Sequence, residues 1–192
     1  VNTLLTNTTG EYNTAVGDAA LFNNETADYI TALGYKTLFT QTTASNNVAV
    51  GATAGEAITT GSFNVAVGNN SLKAATTQAF NIAVGMNAML YTTSPANTAI
   101  GFSAMKGDSG NSTGGYNTAV GNNALYDCTT GQYNAVVGSG SGQNLTTGQQ
   151  NCLLGPNTLN DATTADYNCA TGYQAGYDVT TGGQNTVVGR GA

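Results

Sequence analysis

Tyr116-Asn117-Thr118-Ala119-Val120-Gly121-Asn122-Asn123-Ala124-Leu125, followed by Thr129-Thr130-Gly131, is the stretch whose reading decides the fold, because varied copies of it fill the chain. The phrase ending in glycine occurs eleven times, anchored at Gly17, Gly34, Gly51, Gly68, Gly85, Gly101, Gly121, Gly138, Gly155, Gly172 and Gly189. The spacing is seventeen residues, apart from sixteen between Gly85 and Gly101 and twenty between Gly101 and Gly121. A fixed period of this length predicts stacked units, each covered by its neighbours. The expectation is a single repeat domain over residues 1–192 with a turn insertion near 106–115. Both ends interrupt the pattern, as in a piece of a longer fibre.

With each repeat glycine as position zero, minus one is Val, Ile or Leu in ten repeats, minus two is Ala in eight, and minus four is Asn in ten. β-Branched residues punctuated by glycine read as a short strand. Alternate residues face opposite sides, so the aliphatics at minus one share a face with Thr, Val, Ile, Ala or Cys at minus three. That face is expected to form the coil's own core. None of the fourteen charged residues lies between minus five and minus one, which predicts a strand covered on both sides. The second face carries Ala15, Ala49, Ala66, Ala83, Ala99 and Ala119 and is expected to pack on a neighbouring chain. It also carries a ladder of Asn13, Asn47, Asn64, Asn81, Asn97, Asn117, Asn134, Asn151, Asn168 and Asn185, whose stacked amides hydrogen-bond up and down.

In the second half of the coil, plus three is small and plus four is usually large: Leu21, Leu38, Leu72, Met89, Met105, Leu125 and Leu159. This predicts a second short strand, then a Thr-Thr-Gly turn as at Thr129-Thr130-Gly131, with glycine supplying the turn angles. Gly55, Gly142 and Gly176 break the plus-four column, and those same repeats carry Ile58, Leu145 and Val179 at plus seven. The two positions are expected to fill one volume.

Composition removes several function classes. The 192 residues include 26 glycines, no tryptophan and no histidine, with a net charge of -6. Only Lys36, Lys73, Lys106 and Arg190 are basic, too few to neutralise a nucleic-acid backbone. No apolar run approaches the roughly 18 residues of a membrane span, so no membrane insertion by this segment is expected. Regularly placed Val, Ile and Leu separate the chain from disordered ones.

Without histidine there is no Ser/His/Asp or Cys/His arrangement and no His-based metal site. The expectation is no enzyme, no cofactor and no metal. Asp161 and Asp178 occupy one position in adjacent coils, about 5 Å apart. They read either as a paired acid or as solvated turn carboxylates, since a calcium cage needs more oxygen ligands. Cys128 stands apart at plus seven, while Cys152 and Cys169 at minus three read as stacked core residues. The aromatics at minus five, namely Tyr12, Tyr29, Phe63, Phe80, Tyr116, Tyr133 and Tyr167, are the candidates for contact with a glycan. The competing reading is a ladder that seals the edge of the coil.

The phrase Asn-Thr-Ala-Val-Gly-x-x-Ala-Leu with a following Thr-Thr-Gly-x-Tyr, as in Asn117 to Leu125 and Thr129 to Tyr133, resembles the repeats found upstream of endosialidase-type intramolecular chaperones in phage tail fibres. It is also similar to the head repeats of trimeric autotransporter adhesins. The resemblance spans essentially the whole chain. It implies an all-β fold, a left-handed β-solenoid of about eleven coils, with three parallel chains about a common axis. The implied function is a structural and adhesive fibre shaft, most simply of a phage tail fibre, displaying a receptor-binding element to a host cell surface. A bacterial surface adhesin or filament, or a glycan-binding repeat module, is the alternative. Partners would be two further copies of the chain and a host-surface glycan or receptor, and the location extracellular or on a virion.

Overall fold

A coil of seventeen residues cannot bury a core alone, so its hydrogen bonds must run to the coils above and below. The computed structural model, which describes residues 2–109 and 112–192, shows this arrangement. Eleven three-residue strands, β1 (Thr14–Val16), β2 (Thr31–Leu33), β3 (Val48–Val50), β4 (Val65–Val67), β5 (Ile82–Val84), β6 (Thr98–Ile100), β7 (Thr118–Val120), β8 (Ala135–Val137), β9 (Cys152–Leu154), β10 (Cys169–Thr171) and β11 (Thr186–Val188), form one parallel sheet in sequence order. The chain is an all-β solenoid of about ten turns, with no helix among the described residues. The register is one coil per step, with Val65 opposite Ile82 and Ala66 opposite Ala83. At strand spacing, ten steps make the sheet about 50 Å long. Typical links are Thr14 N to Ile30 O at 2.8 Å, Gly34 N to Val16 O at 2.8 Å and Leu21 N to Thr37 O at 2.9 Å.

The strand faces are reversed from the sequence expectation. Ala49, Ala66, Ala83, Ala99 and Ala119 are buried inside the coil and Ala15 packs against that core, so these alanines do not form a surface for another chain. Volume explains the reversal. The lumen is filled from the opposite side by Leu21, Leu38, Leu72, Met89, Met105, Leu125 and Leu159 at plus four, which favours small side chains at minus two, Ala in most coils and Val136 in the coil of Leu125. Where plus four is Gly142, minus two enlarges to Leu153, whose Cδ1 lies 3.1 Å from where a Gly142 Cβ would stand. Val and Leu at minus one therefore point outward.

The asparagines are inside as well. Asn117 Oδ1 accepts from Asn134 N at 2.9 Å, Asn134 Oδ1 from Asn151 N at 3.0 Å, and Asn151 Oδ1 from Asn168 N at 2.9 Å. Each of these amides also donates to a carbonyl of the next coil, as Asn134 Nδ2 does to Gly148 O at 2.8 Å. In these coils the buried amide column thus meets both its donor and its acceptor needs.

The predicted second strand is absent among the described residues. The residues at plus two and plus four have positive φ, as in Asn123 (53°) and Leu125 (53°), which curls the segment into turns although its amides still bond to the next coil. The Thr-Thr-Gly glycines serve a different need from the expected one. Gly61, Gly131 and Gly148 are not among the positive-φ residues; a Cβ on each would collide with a carbonyl of the following coil, such as Gly148 O for Gly131. The repeat glycines answer both needs, with φ between 126° and 146° and, for all but Gly189, the next repeat glycine lying against them.

The shared volume of plus four and plus seven is present. A Cβ on Gly55 would stand 3.1 Å from Ile58 Cδ1 and 2.8 Å from Leu38 Cδ2. In the insertion, Gly107 N donates to Tyr126 O at 2.9 Å and the ladder resumes at Thr113 N to Thr129 O at 2.6 Å. Residues 110 and 111 of that insertion, like Val1, lie outside the described residues.

Candidate functional site

Two exposed features run along the rod. The first is the outer face of the sheet. Val16 (55% exposed), Leu33, Ile100, Val137, Leu154 and Val188 at minus one stand beside Val48 and Ile82 at minus three. These rows carry no charge along the whole sheet. Cys152 and Cys169, expected in the core, lie here as free, exposed thiols on paired positions of β9 and β10. Their reassignment follows from the same reversal of faces.

The second feature is the aromatic column at minus five. Tyr12 and Tyr29 stack at 5.0 Å between ring centroids, Phe63 and Phe80 at 5.4 Å, and Tyr116 and Tyr133 at 5.2 Å, with planes within 9° of parallel. Tyr167 belongs to the same exposed row. All seven residues have φ between 58° and 63°, a left-handed conformation that turns the rings outward from the end of the preceding turn. The stacking expected of a period-driven ladder is present, and so is the exposure a ligand contact requires.

Where the interval shortens to sixteen residues, this column is interrupted by Ala96. A cleft of about 560 Å³ opens there, lined by Phe80, Ala96, Tyr116, Gln78, Thr93 and Pro95 among others. The missing residue also disturbs the interior, for Asn81 Nδ2 is buried without a hydrogen-bond partner, whereas Asn64 Nδ2 donates to Gln78 O at 2.9 Å.

A further row at plus five is mixed. Phe22 stacks on Phe39, Lys73 pairs with Glu56 at 3.4 Å, and Lys106 Nζ donates to Tyr126 Oη at 2.7 Å. That hydrogen bond holds Lys106 above its ordinary pKa. Burial raises the Asp127 carboxyl, partly offset by Lys106. A cleft of about 610 Å³ lies between Phe39 and the Leu90–Tyr91 pair, over Ala57 and Ala74.

Groups suited to chemistry are sparse. Asp161 is half-buried and Asp178 exposed on adjacent coils; Asp161 N donates to Tyr177 O at 3.2 Å. Among the described residues no cluster of three or more His, Cys, Asp or Glu side chains is placed to hold a metal ion. No helix among them is long and apolar enough to cross a membrane.

Comparison with protein-family models, with curated proteins and with solved structures finds no match. The geometry therefore carries the functional reading by itself. The outward apolar face was misread from the sequence, which placed the Asn and Ala positions outside; the lumen instead holds Leu or Met at plus four together with Asn at minus four. The cleft at Ala96 was marked by the coincidence of the short interval with the break in the aromatic column.

Proposed function

We propose that this chain is the shaft of an extended surface fibre, most simply of a phage tail fibre, in which three parallel copies associate and carry a receptor-binding element to a host cell surface. The observation that carries the reading is the uncharged outer face of the solenoid, which presents Val, Ile or Leu at minus one in ten of the eleven repeats. At about 50 Å by roughly 10 Å, the whole outer face is about 500 Å² in plan, and its row of Val, Ile and Leu alternates with a minus-three row that includes threonines; extended uncharged apolar rows of this kind mark interaction surfaces on soluble proteins. A second and third copy of the same chain supply the matching length, period and lack of charge. The interface is thus the minus-one and minus-three face, in place of the alanine face read from the sequence. The reading places the chain outside the cell or on a virion, and assigns it a mechanical role without turnover. A bacterial surface adhesin or filament uses the same geometry and is the second reading.

Light scattering tests the assembly. The unmodified chain should have three times the chain mass, and Ile100→Asp with Val137→Asp on the outer face should give a folded single chain. A folded monomer of the unmodified chain overturns the proposal. Incubation with host-surface polysaccharide should release no new reducing ends; release abolished by Asp161→Asn or Asp178→Asn would reveal an enzyme instead.

A further inference from the structure

We propose that the interruption of the aromatic column at Ala96 is a binding slot for one neutral pyranose ring of a glycan. Rings on adjacent coils stack at 5.0 to 5.4 Å. Phe80 and Tyr116 flank Ala96 and stand two coils apart, which at strand spacing separates them by about 10 Å. That is twice the stacking distance, the room needed by one six-membered ring between two aromatic faces.

Ala96 keeps the backbone of the aromatic positions, with φ 59° against 63° at Phe80 and 62° at Tyr116. The level is therefore preserved and only the ring is missing. Asn46, Gln150 and Gln184 stand in the same column but carry longer polar side chains, whereas Ala96 brings a methyl. The rim supplies polar groups suited to sugar hydroxyls. Gln78 Oε1 accepts from Thr76 N at 2.7 Å and Thr77 N at 3.1 Å, so Nε2 is the end of the carboxamide that can reach a ligand. Thr77 and Thr93 add hydroxyls at the cleft wall. No charged side chain lines it, which selects a neutral hexose over a sialic or uronic acid. A pyranose has a C–H face that packs on an aromatic ring and an equatorial hydroxyl rim, which matches apolar walls with a polar margin. All of these residues come from one chain.

The test is saturation-transfer NMR on the whole chain with the methyl pyranosides of glucose, galactose, mannose and N-acetylglucosamine, and with phenol as a flat aromatic control. At least one sugar should bind with a dissociation constant on the order of 1 mM, with shifts on the Phe80 and Tyr116 ring protons. Ala96→Tyr, which completes the column in a backbone already suited to it, should weaken binding at least about tenfold. Tyr116→Ala, which removes one wall, should do the same, while Asn46→Tyr should leave binding unchanged. Absence of binding by all four sugars, equal binding by Ala96→Tyr, equal loss in Asn46→Tyr, or phenol binding more tightly than every sugar would each overturn the assignment.

Discussion

Leu125 shows how the coil balances strain against packing. Its side chain is fully buried while its backbone sits at φ 53°, a conformation costing an L-residue about 1–2 kcal/mol. Leu125→Ala keeps that strain and opens a cavity, so it should destabilise by about 2–5 kcal/mol. Leu125→Gly removes one more carbon yet relieves the backbone, and should be less damaging than Leu125→Ala by about 1 kcal/mol. Adding Cys128→Leu should recover part of either loss, because the neighbouring turn position fills the same volume, as Ile58 does beside Gly55. Urea unfolding of the two single and two double variants checks both points, and a reversed Ala/Gly order or strict additivity would refute them. Cys128 carries a second expectation. Burial pushes its thiol up to about 12 from the ordinary 9.0. A folded-state value above the unfolded one gives stability that is complete below pH 9 and lost as pH rises toward 12, worth roughly 4 kcal/mol in all. Compared with Cys128→Val between pH 8 and 11, the unmodified chain should lose stability more steeply, and equal slopes would contradict this.

The elements are ladders more than strands, and their strength should depend on depth. Asn134 Oδ1 accepts from Asn151 N at 3.0 Å and Asn134 Nδ2 donates to Gly148 O at 2.8 Å. Asn134→Ala leaves both of these partners unmet in the interior, at about 1–3 kcal/mol each. Asn185→Ala, on an exposed residue of the last repeat, should cost under about 1 kcal/mol. Thermal unfolding distinguishes the two, and equal costs would show that the buried amide column is not what joins the coils. Ala119 belongs to the same interior, so Ala119→Leu should destabilise the coil itself by about 1–3 kcal/mol through overpacking. The period, the coil-on-coil stacking, the hydrogen bonding of the amide ladder and the exchange between plus four and plus seven were legible, because each rests on residues recurring at one spacing; that the ladder lies in the lumen was not. The second strand was not. Leu at plus four carries a positive φ that no periodicity reveals, and only the clash between Leu and a second large side chain in the lumen decides which strand face turns inward.

At the scale of the whole molecule, the reversed faces turn the cysteines into reporters of assembly. Cys128 is 3% exposed within the lumen, while Cys152 and Cys169 stand exposed at minus three on β9 and β10. A lone chain treated with iodoacetamide under native conditions should therefore be alkylated at Cys152 and Cys169 and spared at Cys128. Chains that associate through the outer face bury the minus-three row against one another, and the assembled form should be protected at all three thiols until it is dissociated by denaturant. The Ile100→Asp and Val137→Asp double variant, which places charge on that face, should restore labelling of Cys152 and Cys169 with Cys128 still protected. Mass spectrometry of the alkylated peptides reads the outcome directly. Full-rate labelling of Cys152 and Cys169 in the assembled, unmodified chain would place the contact surface elsewhere on the rod, and labelling of Cys128 at a similar rate would show that the lumen itself is open.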